Sequence, residues 1–284
     1  MTLIAVLLAL ALEHFFGALD QVRTYRWFDA WHAALERRFT GSAWWDGPAG
    51  LMLAVVPPLV LLLIVAHLLA KISIILVFLL TTAVLIHSLG ADFNTRIGRS
   101  LGGLEAGDDT ALRAEEAALP AAATAEDREG ERGARAFLLR AHEDLFGVLF
   151  WFIVLGMVGA LLFCLARHLR ARLAGIHGGH AAAVERLYLV LSWPSARLFA
   201  LGMALAGSLV DAMEAWRSVE RADLAVTEEL IGSVGMGALN LSASGDDAAD
   251  PRIVCLEETR ALVNRTLIIW LTVLGLMTLR GWFA

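Results

Sequence analysis

The sequence of 284 residues is poor in cysteine and almost free of lysine. Its two cysteines, Cys164 in an apolar run and Cys255 in a polar one, form neither a disulfide framework nor a zinc pattern. Lys71 is the only lysine and lies between two apolar runs, which excludes a nucleotide site of the P-loop kind. The motifs HExxH, CxxC and GxSxG are absent, and no basic run carries interleaved aromatics. We therefore expect no cofactor and no nucleic-acid partner.

The sequence does contain a large apolar fraction, with 58% hydrophobic residues and a mean hydropathy of +0.66. A spanning helix needs about 17 to 25 apolar residues. The candidate runs are 2–19, 50–70, 72–91, 145–166, 188–210 and 262–282. Glu13 and His14 interrupt the first run, and Pro194 and Arg197 interrupt the fifth, so the runs predict between four and six spans. The sequence thus predicts an all-α, polytopic membrane helix bundle, a single integral-membrane domain over residues 1–284 in contact with the lipid bilayer.

The second and third apolar runs are separated by a single charge, that of Lys71. They therefore predict a tight helical hairpin with almost no loop. Pro57 and Pro58 lie within its first helix, and because proline has no N–H to donate, we expect a kink there whose freed carbonyls are satisfied by neighbours.

Three polar segments, at 20–49, 92–144 and 213–261, connect the apolar runs. The first predicts an amphipathic helix in the membrane interface, because apolar residues recur at every fourth position and polar residues occupy the other faces. The apolar set is Trp27, Trp31, Leu35 and Phe39, and the polar set is Asp29, His32, Glu36 and Arg37. A helix packed on its own protein explains the same pattern, and the sequence leaves both interpretations open.

The other two polar segments give different predictions. Within the second, DDTALRAEEAALP has the Asp cap and Pro stop of a helix, and ATAEDREGERGARAFLLRAHED predicts another helix leading into the membrane. Within the third, GSVGMGALNLSASGDDAADP is rich in turn formers and predicts a mobile loop. If all six runs span the membrane, the three segments share one side and carry most of the arginines, so the positive-inside rule places them in the cytosol. Arg167, Arg170 and Arg172 then fall on the opposite side, a misfit that disappears if one early run is re-entrant.

Ionisable residues at membrane depth are the candidates for function. A charge near the bilayer centre costs about 2.5 to 3.5 kcal/mol and normally has a partner. Arg197 lies inside the fifth run and Glu13 inside the first, and a polar lip precedes the fourth run, formed by His142, Glu143 and Asp144. We hypothesise that Arg197 pairs with Glu13 or Glu143 and lines a polar cavity that receives an anionic group. A purely structural ion pair, or snorkelling of Arg197, explains the same pattern.

The sequence HGGH offers a second, weaker candidate. Its two imidazoles, His177 and His180, could bind a metal ion, but the two intervening glycines are more typical of a solvated loop. We therefore predict no metal site.

Three motifs together resemble the AmpE branch of the AmpE/CobD membrane family. They are an amphipathic helix with ERR near the start, Phe150 and Trp151 after a polar lip, and the later stretch WPSARLFALGMALAG. The resemblance extends over nearly the full length and includes the tight hairpin and the closing hydrophobic helix. The start of the stretch WPSARLFALGMALAG resembles the AmpE pattern D-W-x-P-x-R-L, in which Trp193, Arg197 and Leu198 occupy matching positions. In this chain Ser192 replaces the Asp, and Pro194 comes one residue early.

The lip also resembles, more distantly, the E-N-x-S-D-G pattern of the CobD branch, the cobinamide-phosphate synthases. Glu143 falls on the Asp of that pattern, whereas Leu139 and Arg140 replace its Glu and Asn. A synthase that couples a carboxylate to an amino alcohol would need this lip intact. The altered lip therefore argues against synthase chemistry.

The AmpE resemblance implies a multi-pass protein of the bacterial inner membrane, linked to β-lactamase induction and to the sensing of peptidoglycan-recycling products. It implies a non-catalytic protein that binds a cell-wall-derived anionic ligand or a membrane protein partner, with Trp193 and Arg197 near the site. Two alternatives remain open: a CobD-like enzyme that uses His142, Glu143 and Asp144 as metal or acid/base groups, and a transporter of muropeptide-like anions, suggested by the depth of Arg197.

Overall fold

A computed structural model describes residues 2–15, 25–39, 41–42, 44–90, 92–119, 130–219, 226–239 and 250–280, without the side chains of residues 2 and 13–15. Within these ranges every regular element is helical. The elements are α1 (Thr2–Phe15), α2 (Arg26–Phe39), α3 (Pro48–Ile72), α4 (Ile74–Ser88), α5 (Phe93–Glu105), α6 (Thr110–Ala118), α7 (Glu131–Ala141), a π-helical turn (His142–Phe146), α8 (Gly147–Arg172), α9 (Gly179–Ala206), α10 (Leu209–Ser218), α11 (Thr227–Ala238) and α12 (Pro251–Leu279). The all-α prediction is confirmed.

Five helical stretches in the described residues are long and apolar enough to cross a membrane. They are Pro48–Ile72, Ile74–Glu105, Glu131–Arg172, Gly179–Ala206 and Pro251–Leu279, and a shorter apolar helix covers Leu3–Leu12. The chain is therefore a multi-pass membrane protein whose apolar surface suits contact with lipid. Several helices extend beyond the apolar runs, because good helix formers such as Ala, Glu and Arg continue the helix into polar sequence.

The predicted hairpin is present, since only Ser73 separates α3 from α4. The Ser73 hydroxyl caps α4 by accepting a hydrogen bond from the backbone N–H of Ile75 at 3.2 Å. Lys71 lies in the last turn of α3, and α3 continues through Pro57 and Pro58.

The chain divides into two compact units, the first comprising Met1–Gly90 and Gly147–Leu191. In the first unit α4 packs against α1, α3 and α8. Its buried core is built from α2, α3, α8 and the start of α9, with Phe28, Leu51, Leu165 and Val184 among its members. Within α8, Gly156 has a φ of 64°, a backbone conformation that glycine adopts without steric penalty, and the helix is interrupted there.

Helix α2 packs on its own unit. Trp31 donates a hydrogen bond from its indole N–H to the Ala54 carbonyl of α3 at 3.1 Å, and Phe28 and Leu35 are buried. His32, assigned to the polar face from sequence, is buried as well, whereas Trp27, assigned to the apolar face, is 46% exposed. The helix itself is confirmed, but its inward face is rotated from the predicted one, because Phe28 joins the buried core and His32 packs against Trp45 and His180.

The second unit comprises Ala91–Phe146 and Ser192–Ala284. Helix α7 packs against α6, α11 and α12, and α10 packs against α11. Helix α6 forms where the Asp cap predicted it, and the Asp108 carboxylate accepts a hydrogen bond from the Thr110 N–H at 2.9 Å. The second predicted helix is α7, which begins at Glu131; residues 120–129 lie outside the described ranges.

The predicted mobile loop is wrong over its first part, because Gly232 to Ala238 belong to α11. The glycines that suggested turns instead permit close packing. A Cβ on Gly235 would lie 2.4 Å from a Leu138 methyl group of α7, and one on Gly237 would lie 2.8 Å from the Asp211 carbonyl oxygen of α10. Residues 240–249 of this segment lie outside the described ranges.

Candidate functional site: a buried charge cluster at a π-helical turn

The second unit contains a π-helical turn, His142–Phe146, which directly follows α7. Such turns are rare and occur frequently at functional sites, because the wider turn changes which side chains share a face. Here the turn carries the polar lip identified from sequence. His142, Glu143 and Asp144 are 1%, 7% and 9% exposed, so three consecutive polar side chains lie in the interior.

The carboxylates of this turn lie beside Arg140, in the last turn of α7. Its guanidinium lies 3.6 Å from a Glu143 oxygen and 3.9 Å from an Asp144 oxygen. The same guanidinium lies 3.4 Å from the carboxylate of Glu115 on α6. One arginine thus faces three carboxylates.

Glu115 connects this group to a second arginine. The Arg96 guanidinium on α5 donates to both Glu115 oxygens, at 3.1 Å and 3.4 Å. The charge cluster therefore consists of Arg96, Glu115, Arg140, Glu143 and Asp144, with three formal negative charges against two positive ones. Removing either arginine would leave carboxylates in an environment where an uncompensated charge is expensive.

The third residue of the lip, His142, meets the motif stretch of α9. Its Nε2 lies 2.9 Å from the Ser195 hydroxyl, which in turn lies 3.0 Å from the Ser192 carbonyl. Ser195 has one proton, so when it donates to the Ser192 carbonyl, Nε2 of His142 is the donor in their contact; the tautomer of His142 decides between this arrangement and the reverse.

Aromatic rings form the apolar side of this site. Phe199, one turn beyond Ser195, stacks on Phe146 at 4.2 Å between ring centroids and lies against the His142 ring at 6.1 Å. Trp270 of α12 contacts Phe146 edge-on at 5.3 Å. Within the second unit, the lip thus contacts the charge cluster on one side and the aromatic rings of Phe199 and Trp270 on the other.

Arg197 does not form the predicted pair with Glu143. Its guanidinium stacks over the Trp193 indole at 3.9 Å and donates to the Trp193 carbonyl at 3.2 Å. Glu143 instead lies 3.6 Å from the guanidinium of Arg140. A stacked guanidinium is shielded by the ring of its own helix, so it needs no carboxylate partner. The alternative partner Glu13 has its side chain outside the described part of the chain.

The two candidate metal ligands of HGGH, His177 and His180, lie in different environments. His177 is exposed, whereas His180 is buried at the start of α9. The described residues contain no group of three or more His, Cys, Asp or Glu side chains placed to hold a metal ion.

Sequence reasoning identified the lip but missed Ser195, Arg140, Glu115 and Arg96 as its partners. Arg140 could have been found, since it lies three and four residues before Glu143 and Asp144 and helical residues so spaced are neighbours. Glu115 and Arg96 come from separate helices and carry no local signal.

The residues that carry the AmpE resemblance most specifically, Phe150, Trp151 and the stretch WPSARL, lie within α8 and α9. In the first unit, the Trp151 indole donates to the Leu191 carbonyl at 2.8 Å, and Phe150 contacts Trp151 edge-on at 5.2 Å. In the second unit, the polar side chain of WPSARL that reaches the lip is Ser195. Comparison of the chain with protein-family models, with curated proteins and with solved structures finds no match.

Proposed function

We propose that this chain is an AmpE-like regulatory protein of the bacterial inner membrane, linked to β-lactamase induction through the sensing of peptidoglycan-recycling products. The proposal rests on the motif resemblance and on the multi-pass helical fold. In this function the lip binds a signal rather than transforms a substrate.

The observation that supports the non-catalytic part is the setting of the Ser195 hydroxyl. It lies 3.0 Å from the Ser192 carbonyl as well as 2.9 Å from Nε2 of His142, so it can donate to the backbone instead of to the imidazole. The carboxylates of Glu143 and Asp144 face Arg140, and its positive charge favours their ionised form.

Because the charge cluster has one more carboxylate than arginines, an anionic group would enter it by replacing one of these carboxylates at Arg140. Arg140 holds Asp144 at 3.9 Å and Glu143 at 3.6 Å, both longer than a good charge-assisted hydrogen bond of about 2.7 to 2.9 Å. A carboxylate of a cell-wall peptide could form shorter bonds to Arg140 and displace these side chains. The exchange would alter the π-helical turn, which supplies a conformational signal.

An enzyme resembling cobinamide-phosphate synthase is the second candidate. It is favoured by the burial of His142, Glu143 and Asp144 side by side, which suits acid/base chemistry. It requires binding of a corrinoid or of aminopropanol phosphate to the purified chain. If neither binds at millimolar concentration, this candidate is eliminated.

The test is β-lactam-induced β-lactamase output in cells whose only copy carries Arg140→Gln, with membrane levels checked by immunoblot. The matched control is Arg113→Gln, which removes an arginine of α6 that is 75% exposed and forms an ion pair with Asp109 one turn away. We expect altered induction for Arg140→Gln alone. Normal induction at normal protein level would refute a signalling role for the cluster. Arg197→Ala in the same assay measures the contribution of the stacked arginine.

A further inference from the structure

Helix α2 lies at the end of the first unit where four of its helices begin or end. The Tyr25 hydroxyl, one residue before α2, donates to the His87 carbonyl in the last turn of α4 at 2.9 Å. Arg172, the last residue of α8, donates to the Asp29 carboxylate at 3.0 Å. The helix also contacts the second turn of α3 and the first turn of α9. Because these four helices belong to stretches that are long and apolar enough to cross a membrane, α2 lies at the level of a membrane surface.

One face of α2 is exposed and basic. With about 100° of rotation per residue, this face covers an arc of about 120° of the helix, which we call the outer face. It consists of Arg26, Trp27, Ala30, Ala34, Arg37 and Arg38, all of them exposed. The two acidic residues of the helix, Asp29 and Glu36, fall outside this arc, and the buried Phe28 and His32 lie on the opposite side. The outer face thus carries three positive charges and no negative one.

The arginines of the outer face are available to an external anion. At this end of the unit the ion pairs are formed by other cations, since Arg170 and Arg172 of α8 are each paired with a carboxylate. Within the described ranges, the outer-face arginines have no carboxylate at ion-pair distance, and Arg37 donates to the Ala33 carbonyl of its own helix at 3.2 Å. A guanidinium forms strong, bidentate hydrogen bonds with phosphate, so phosphate is a suitable partner for this face.

Two exposed tryptophans accompany these arginines. Trp27 belongs to the outer face, and Trp44 packs against Phe39 at the end of α2, with ring centroids 4.8 Å apart. Both indoles are 46% exposed. Tryptophan is enriched where membrane and water meet, because its ring is apolar and its N–H is polar. The combination of exposed indoles and arginines is therefore typical of a surface that meets lipid headgroups.

The end of the unit that carries α2 is also its arginine-rich end. The contact between Arg172 and Asp29 places the arginines that end α8 beside α2, so the segment 20–49 and these arginines share one side of the membrane. At the other end, the hairpin of α3 and α4 carries Lys71. By the positive-inside rule the arginine-rich end faces the cytosol, where anionic lipids give the leaflet a negative surface potential.

From these observations we propose that the outer face of α2 docks on the membrane surface and binds the headgroups of anionic phospholipids. Arg26, Arg37 and Arg38 pair with the lipid phosphates, and Trp27 and Trp44 insert among the headgroups. The buried face of α2 holds the helix on its own unit, so the surface is formed before lipid binds and no folding of the helix accompanies binding.

The test uses the full chain with Ala34→Cys, labelled with a fluorophore and reconstituted in nanodiscs of phosphatidylcholine. Ala34 lies in the middle of the outer face, and the native Cys164 and Cys255 are buried, which favours labelling at the new site. The discs contain a fixed fraction of either phosphatidylglycerol or phosphatidylcholine that carries a spin label, which quenches the fluorophore at short range. We expect quenching by both lipids and stronger quenching by the phosphatidylglycerol.

Charge variants identify the residues that select the anionic lipid. Arg26→Gln/Arg37→Gln/Arg38→Gln should reduce the preference for phosphatidylglycerol at least about fivefold, which is the effect of one arginine near an anionic surface. The corresponding triple lysine variant keeps the charge and should keep most of the preference. The matched control is Arg99→Gln/Arg113→Gln/Arg265→Gln, which removes the same charge from exposed positions of the second unit and should leave the preference unchanged.

Three results would overturn the proposal. Absence of quenching by either lipid would place the outer face in water or against another protein. Equal quenching by the two lipids would show contact with the bilayer without selection of anionic headgroups. A preference that survives in the triple glutamine variant would assign the selection to other residues. Because the readout is lipid contact at α2, none of these results bears on the proposal about the charge cluster.

Discussion

His142 and Ser195 are joined by a hydrogen bond of 2.9 Å between the imidazole Nε2 and the hydroxyl oxygen. Ser195 is fully buried and His142 is 1% exposed, so neither group exchanges this bond for one with solvent. The contact connects the π-helical turn to the motif stretch WPSARL of α9. It makes Ser195, rather than Arg197, the motif residue that positions the lip.

Ser195→Ala should therefore lower stability, since it leaves Nε2 of His142 buried without its hydrogen bond to Ser195. Such a loss costs about 1 to 3 kcal/mol, which is measurable as a lower apparent Tm in detergent. Ser218→Ala is the control, because Ser218 also bonds a carbonyl three residues earlier, that of Ala215, but lies on an exposed turn. Equal shifts in Tm for the two variants would show that the bond to His142 contributes nothing.

Arg140→Gln should destabilise the second unit, because Glu115, Glu143 and Asp144 each lose the ion pair with Arg140. Breaking a buried ion pair by removing one partner costs about 3 to 5 kcal/mol, and the 19% exposure of Arg140 places it near the lower value. The double variant Glu115→Gln/Arg140→Gln should recover part of the loss, because the carboxylate of Glu115 no longer faces the missing arginine. Additive losses of Tm in the double variant would contradict a direct interaction between the two residues.

The fold was largely predictable because membrane helices have strong local signals. Long apolar runs located the five stretches that can cross a membrane, and a single lysine between two runs located the hairpin at Ser73. The Asp cap located the start of α6. Each of these predictions depends on residues adjacent in sequence, where hydropathy and capping preferences act directly.

The partners of the charges were not predictable because they depend on how helices are rotated. The π-helical turn changes the face on which His142 and Glu143 lie, and no sequence period announces such a turn. The glycines of α11 read as turn formers, although the close approach of Leu138 is what requires them to be small. The sequence pattern places His32 on the polar face of its helix, because its buried partner, His180, lies in a distant segment.

Gly237→Ala and Gly98→Ala should have opposite effects. A Cβ on Gly237 would meet the backbone of Asp211 at 2.8 Å and separate α10 from α11, which we expect to cost about 1 to 3 kcal/mol. A Cβ on Gly98 in α5 would meet nothing within 4 Å, so alanine should stabilise that helix by up to about 1 kcal/mol. Apparent Tm measures both, and a neutral Gly237→Ala would show that the two helices do not pack this closely.

The free energy of unfolding of the first unit should decrease on acidification, in two separate pH ranges. Burial, then the nearby charges of Arg172 and His180, lower the pKa of His32 to about 4, despite the opposing carboxylates of Glu36 and Asp29. The neutral imidazole therefore contributes full stability above its ordinary pKa of 6.5, and the contribution is lost as the pH falls through about 4. The full loss is at most about 3 kcal/mol.

Asp29 accounts for the second pH range in which stability is lost. Burial alone would raise its pKa, but the hydrogen bond and charge of His168, with the charge of Arg172, lower the pKa below 3.8. Its contribution is present above that value and is lost only in stronger acid. Between pH 7 and 4.5 the Tm of the protein should therefore fall through the titration of His32, and His32→Gln should flatten the profile while His177→Gln keeps the wild-type slope. Parallel slopes for wild type and His32→Gln would show that the imidazole is not buried in its neutral form.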